Sequence, residues 1–336
     1  MTEDRIITYG GQAVIEGVLM RGQKGCAIAM RAPDGEIKVH TEKLSSIYKS
    51  KVTKIPFLRG SILLWDALGL GMRALTIAAN TQTGEDEKLE GPALYTVMAV
   101  SLTFSIALFF LLPFGGGKLA QWFMLGMPGL PAIGNVASVI ATATQVPGAV
   151  TQAAQNTAGA AKAFQFTPDI WVAAITEGII RLLLIIGYMW AIGKMPDVNR
   201  LFRYHGAEHK TINAFEAGAE LTPESVAKFP LEHPRCGTSF LLTLIILSII
   251  AFVFLYPLPV AFQIIGRIVL IPVLAGVALE YIRWIANHLD SPIVQWLIKP
   301  NLALQHLTTR EPDLSMLEVS IRSFNEMRAL EQEITL

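Results

Sequence analysis

Charge and cysteine are what this 336-residue sequence has least of. Only 16% of its residues are Asp, Glu, Lys or Arg, where a soluble domain carries about 25%. Lys+Arg and Asp+Glu number 27 each. The missing basic excess argues against nucleic acid as a partner. Two cysteines, Cys26 and Cys236, cannot build a disulfide framework. The sequence has no Walker loop and no G-x-G-x-x-G in a strand–turn–helix setting, so nucleotide chemistry has no support. It has no G-x-S-x-G, which removes the usual serine-hydrolase elbow. Residues 1–10 are polar and mixed in charge, without the apolar core of a signal peptide, so no cleaved export signal is expected. What remains is apolar: 52% hydrophobic, with a mean hydropathy of +0.46. The composition predicts an α-helical polytopic membrane protein with some mass outside the bilayer.

A crossing helix needs about 20 mostly apolar residues. Four stretches qualify: Leu94–Leu112, Ile170–Ile192, Cys236–Tyr256 and Pro259–Leu279. The last two are joined by a Tyr-Pro-Leu-Pro turn and read as a tight hairpin. Lys and Arg mark the cytoplasmic side. They number 12 in residues 1–93, two in 113–169, six in 193–235 and five in 282–336. That alternation predicts about four transmembrane helices in the cell (inner or plasma) membrane, with both termini in the cytoplasm. Residues 1–93 read as a small cytoplasmic α+β domain, with strand-like Tyr9–Arg21, Cys26–Met30 and Glu36–Thr41, helix-like Ser61–Asn80 and a charged linker at Thr83–Glu90. Residues 94–281 read as the membrane domain, with an outer loop at 113–169 and an inner loop at 193–235. Leu119–Ala161, 43 residues without a charge, belongs to that outer loop. Residues 282–336 read as a cytoplasmic helical tail. Within Asp313–Leu336 the apolar positions Met316, Leu317, Val319, Ile321, Phe324, Met327 and Leu330 recur at near-helical spacing.

The chemistry concentrates at His205-Gly-Ala-Glu208-His209. This is H-x-x-E-H, the spacing of inverted zinc peptidases. Positions i and i+4 share a helix face, so both imidazoles can bind one ion, and Glu208 would sit beside it as a general base. Gly218 is expected to stop that helix. His233-Pro-Arg235-Cys236 begins the third span, and Glu280 ends the fourth. The topology therefore brings His233 and Glu280 toward the same membrane face as further metal ligands, with Cys236 a weaker candidate. The plainer alternatives are that His205 and His209 merely satisfy an amphipathic helix, that Cys236 packs, and that Glu280 pairs with Arg283. Inside the spans, Glu177 and Arg181 are i,i+4 on one helix, and Arg267 lies at a similar depth on another. Intramembrane charges default to functional hypotheses. Here an ion pair locking the second span to the fourth is the favoured reading.

Four blocks carry a resemblance: Gly10-Gly-Gln-Ala-Val-Ile-Glu16-Gly17 with Met20 and Arg21, Tyr204-His-Gly-Ala-Glu-His-Lys-Thr211, His233-Pro-Arg-Cys-Gly-Thr-Ser-Phe240, and Leu307-Thr-Thr-Arg-Glu-Pro312. They span nearly the whole chain. In them the sequence resembles the YqhQ-like proteins, an uncharacterised bacterial membrane family labelled predicted metal-dependent enzymes. The resemblance implies His205, Glu208, His209, His233 and Cys236 as the site. Glu16 and Arg235 are further charged site candidates in these blocks. No substrate is implied.

Three functions follow. The first is a membrane-embedded hydrolase dependent on zinc or another divalent metal, open to the cytoplasm. His205 and His209 would be its ligands, His233 or Glu280 would complete the shell, and Glu208 would be the base. The second is a non-enzymatic adaptor recruiting a cytosolic protein partner through the N-terminal domain or the tail. The third is a small transporter built on Glu177, Arg181 and Arg267. Four spans without an inverted repeat weigh against it.

Overall fold

The computed structural model describes residues 9–44, 55, 58–83, 91–125 and 166–334. The charged linker at 84–90 and residues 126–165 of the expected outer loop lie outside them. The described chain is mostly helical, with one small sheet.

By contacts the chain falls into two compact units. The first combines Met1–Thr96, Gly187–Thr243 and Ala275–Leu336; the second combines Val97–Ile186 and Leu244–Leu274. The H-x-x-E-H stretch and the C-terminal tail therefore belong to one unit with the N-terminal sheet.

That sheet is an antiparallel meander of β1 (Gly10–Val14), β2 (Gly17–Arg21), β3 (Gly25–Arg31) and β4 (Ile37–Lys43). Gly10 pairs with Arg21, and Arg21 with Cys26. β2 and β3 are buried almost throughout rather than in alternation, because both faces are covered. On one face Val14, Leu19, Cys26, Ile28 and Met30 meet Leu70, Ala74 and Ala78 of α1 (Leu58–Thr83). On the other, Val18, Met20, Ala27 and Ala29 share a core with α5 (Pro196–Glu216) and α10 (Leu314–Glu333).

The tail behaves as its periodicity predicts. Asp313 caps α10 by accepting from the Met316 N–H at 3.0 Å. Met316, Leu317, Val319, Phe324 and Met327 are buried against the sheet and α5. The Ser323 hydroxyl lies 2.9 Å from the carbonyls of both Val18 and Ala27, tying α10 to β2 and β3. Ser323→Ala should cost about 1–2 kcal/mol, because a buried donor is lost between two strand carbonyls. A lower thermal unfolding midpoint in detergent checks this, and an unchanged midpoint would show that the hydroxyl contributes nothing.

Among the described residues, three helices are long and apolar enough to cross a membrane: Tyr95–Met124, Pro168–Ile192 and Val260–Ala286. The first joins α2 (Gly91–Ile106), a π-helical turn (Ala107–Leu111) and α3 (Leu112–Met124). It runs past the expected end at Leu112, so residues 113–124 of the expected outer loop are helix; no proline lies between Gly115 and Met124, and the one charge there, Lys118, does not break the helix. The others are α4 (Pro168–Ile192) and α8 (Val260–Ala286). The expected third span forms α7 (Gly237–Val253), which at 17 residues is shorter than the rest. α6 (Pro223–Val226) is a single turn, and α9 (Pro292–Thr308) precedes the tail.

Inside the second unit, Glu177 is the hub of the span charges. Its Oε1 accepts from Arg181 Nη2 at 2.6 Å and its Oε2 from Arg267 Nη2 at 2.8 Å. The Tyr256 hydroxyl donates to Oε2 at 2.7 Å. The Arg267 guanidinium also faces the Phe114 ring at 4.4 Å, and Arg181 faces Phe252 at 5.0 Å. Arg267 on α8 is thus tied to α4, the pairing that equal depth predicts.

Candidate functional site

The site is built on α5. Pro196 opens the helix, its fixed φ suiting the first turn. Gly218 closes it at φ +70°, with the Ala219 N–H returning to the Ala214 carbonyl. Between these ends, His205 and His209 share one face, and their rings lie 4.4 Å apart, edge to face.

Each imidazole is fixed by a backbone carbonyl. The Thr308 carbonyl sits 2.8 Å from His205 Nδ1, and the Leu231 carbonyl is the partner of His209 Nδ1. A carbonyl only accepts, so both rings carry their proton on Nδ1 and present a bare Nε2. The Nε2 of His209 is buried without a partner. The Nε2 of His205 lies 3.3 Å from Cys236 Sγ. Among the described residues, His205, His209 and Cys236 form a group whose ligand atoms all lie within 4.8 Å of one another. Cys236 stands just before α7, and the Thr238 N–H donates to its sulfur at 3.4 Å.

The two cysteines differ sharply in setting. Cys26 is closed inside the sheet core, and burial pushes its thiol up to about 11. Cys236 faces the two imidazoles.

Glu208 projects from α5 toward β1. Burial raises its carboxyl to about 7, against the opposing pull of His205 and of the Gly11 backbone N–H. Its Oε2 has no hydrogen-bond partner. Gly11 is the reason the side chain fits. A Cβ there would stand 2.6 Å from the Leu19 carbonyl oxygen and 2.9 Å from Glu208 Cδ. Gly11 of the first block is therefore a seat for Glu208.

His233 and Glu280 are not in the three-residue group. His233 is held by Gln305, which accepts from the His233 N–H and donates to its carbonyl, each at 2.9 Å. Arg235 Nη2 lies 3.3 Å from His233 Nε2 and also pairs with Glu216. Burial holds the His233 imidazole below its usual value, in keeping with its accepting from Arg235. The ring lies 5.7 Å from that of His209, one layer behind the group. Glu280 is half-buried within α8. Glu16 adopts φ +54° at the β1–β2 turn and pairs with Arg200.

A cavity of about 250 Å³ opens beside the group. His205, Glu208, His233, Arg235 and Cys236 line it with Gln12 and Arg21 of the sheet and Ala67 and Leu70 of α1. Gln12, Gln305 and the Thr308 carbonyl carry no metal-ligand signature, and reasoning from motifs missed them. Thr308 does lie within the Leu307–Pro312 block, which was the available signal.

Comparison with known proteins gives kinship without chemistry. Residues 55–330 match the family described as a protein of unknown function, DUF1385. The uncharacterized protein YqhQ of Bacillus subtilis (strain 168) is 32% identical over 343 residues, covering 96% of this chain and 93% of its own. No solved structure matches.

Proposed function

The chain belongs to the DUF1385 family, which brings no activity with it, and from the site itself we propose a metal-dependent hydrolase working at the cytoplasmic face of the cell membrane. The observation that carries this reading is the convergence of two bare Nε2 atoms with a cysteine sulfur, both imidazoles being oriented by carbonyls. Ligating histidines are ordinarily held in this way through the other ring nitrogen. Imidazole with thiolate is zinc chemistry. Bonds of about 2.0 Å to nitrogen and 2.3 Å to sulfur in a tetrahedron give an N···S edge of about 3.5 Å, close to the 3.3 Å between His205 and Cys236. The orphaned His209 Nε2 fits the same account.

Three protein ligands leave one coordination position, as in catalytic rather than structural sites. An ion held there supplies Lewis-acid polarisation of water and substrate. Glu208 is the general base: it accepts one proton from the attacking water and returns it to the leaving group, while the water oxygen bonds to the electrophile. A carboxyl raised toward neutrality suits both transfers.

The membrane assignment draws on α4. Trp171 and Trp190 are 48% and 56% exposed, and the 19-residue step between them is about 28 Å, near the thickness of the hydrocarbon core. They read as the two aromatic belts. α7, about 26 Å long, is the fourth pass on this reading, and the Lys/Arg distribution supports both termini on the cytoplasmic side. The adaptor reading is the weaker one, because the apolar stripe of the tail is already spent on the sheet and α5.

Elemental mass spectrometry of detergent-purified protein tests the reading. The expected result is near one equivalent of zinc in the wild type, none in His205→Ala/His209→Ala, and full retention in Glu208→Gln. Absence of stoichiometric metal from wild type purified without chelators would sink the proposal. Loss of metal in Glu208→Gln would make that carboxylate a ligand instead of a base.

A further inference from the structure

The two walls of the cavity differ in character. Arg21 and Gln12 of the sheet stand on one side with Arg235, the residue before Cys236, and among the described lining residues Glu208 is the only carboxylate. Arg235 gives its Nη2 to Glu216 and His233, and a guanidinium carries five N–H donors, so two of them around a cavity of about 250 Å³ still suit one anionic group. The Nε of Arg235 is buried without a partner, and Arg235 is not in the three-residue ligand group. The opposite wall is Ala67 and Leu70 of α1, and it is apolar.

α1 itself faces two ways. Leu70, Ala74 and Ala78 turn to the sheet. Trp65, Leu68 and Met72, spaced i, i+3 and i+7, occupy the opposite face and are 81%, 56% and 37% exposed. An apolar stripe with an outermost tryptophan is an interfacial helix. Its lipid neighbour is argued by continuity. Gly60 of α1 meets Gly276 of the crossing helix α8 so closely that a Cβ at Gly60 would stand 2.5 Å from the Gly276 Cα. Eight residues on, toward the same end of α8, Trp284 is exposed. α9 repeats the pattern with Ile293 and Trp296 exposed and Val294 and Ile298 buried. The helix that shows this exposed apolar face also lines the cavity, through Ala67 and Leu70.

We propose that the cavity receives the anionic headgroup of a bilayer-borne amphiphile, held by Arg21 and Arg235, with its chains passing around α1 into the lipid. The proposal rests on the hydrolase reading for what happens next, and on the cavity alone for binding. It names the substrate class that the catalytic group would meet: a lipid-like molecule bearing a phosphate or carboxylate, rather than a soluble peptide.

The test uses the full-length protein in dodecyl maltoside, titrated calorimetrically with dihexanoyl phosphatidic acid, dihexanoyl phosphatidylcholine and inorganic phosphate. The expected result is at least tenfold tighter binding of the phosphatidic acid than of either other probe. Arg235→Gln should weaken it tenfold or more. Ala67→Trp, which fills the cavity from an exposed helix position, should abolish it while leaving the thermal midpoint and the metal content near wild type. Equal binding of the two lipids, or full binding by Ala67→Trp, overturns the proposal. Inorganic phosphate binding as tightly as the phosphatidic acid overturns the membrane source in favour of a soluble anion. The failures are distinguishable: zinc without lipid preference removes this inference alone, and lipid preference without zinc removes the hydrolase reading alone.

Discussion

Replacing Glu177 by glutamine is expected to be among the most damaging single changes in the helical unit, at a cost of about 3–5 kcal/mol. The side chain keeps its volume and loses only its charge. Two guanidiniums, Arg181 and Arg267, then remain buried with no carboxylate between them. Both are at least nine-tenths buried, so water cannot take over the role. The rings of Phe114 and Phe252 face the cations but replace only part of a full charge. The thermal midpoint in detergent should fall steeply.

The same physics predicts a rescue. Replacing Glu177, Arg181 and Arg267 together by leucine or methionine removes the charges along with the cost of desolvating them, and should restore most of the lost stability. An unchanged midpoint in Glu177→Gln would show that the cluster tolerates net positive charge. It would then be better read as a working ionic site than as a lock between α4 and α8.

How much of this was legible beforehand divides by the range of the rule involved. Helical rise is local, so counting residues from the outer ends gave Glu177 and Arg267 a common depth, and they do meet. The i,i+4 rule is local too, and His205 and His209 do face one point. The stripe of the tail likewise named the residues that α10 buries. What is not legible is lateral. Hydropathy fixes depth along the membrane normal but not position around it, so it does not say that the three-residue group holds Cys236 and not Glu280. Cys236 and His233 are three residues apart, and spacing does not say which of them turns to the imidazoles; His233 is held instead through its backbone by Gln305, 72 residues away in sequence. The seat that Gly11 makes for Glu208 comes from packing between residues nearly 200 positions apart, and no periodicity announces it.

On the metal-site reading proposed above, Gly206→Ala is expected to weaken zinc binding by tenfold or more and to cost about 1–3 kcal/mol of stability, although residue 206 is outside the ligand group. A Cβ at this position would run into the Arg310 backbone carbonyl and would stand 2.8 Å from Leu231 Cδ2. Both neighbours belong to the scaffold of the imidazoles. Arg310 is anchored to α5 through its N–H to the Phe202 carbonyl at 3.0 Å, and two residues before it the Thr308 carbonyl holds His205. The Leu231 carbonyl holds His209. One added methyl therefore pushes on both segments that orient the ligands, and a backbone carbonyl cannot swing aside as a side-chain tip can. Gly187→Ala is the matched control: it is helical, it has open space around its Cβ, and it should be neutral or slightly stabilising. Competition against a zinc chelator reads the affinity, and the midpoint of the metal-free protein reads the packing cost separately. A Gly206→Ala protein with unaltered affinity would mean that the two carbonyls do not set the geometry of the site. A lower metal-free midpoint with unaltered affinity would confine the role of Gly206 to packing α5 against the Leu307–Pro312 segment.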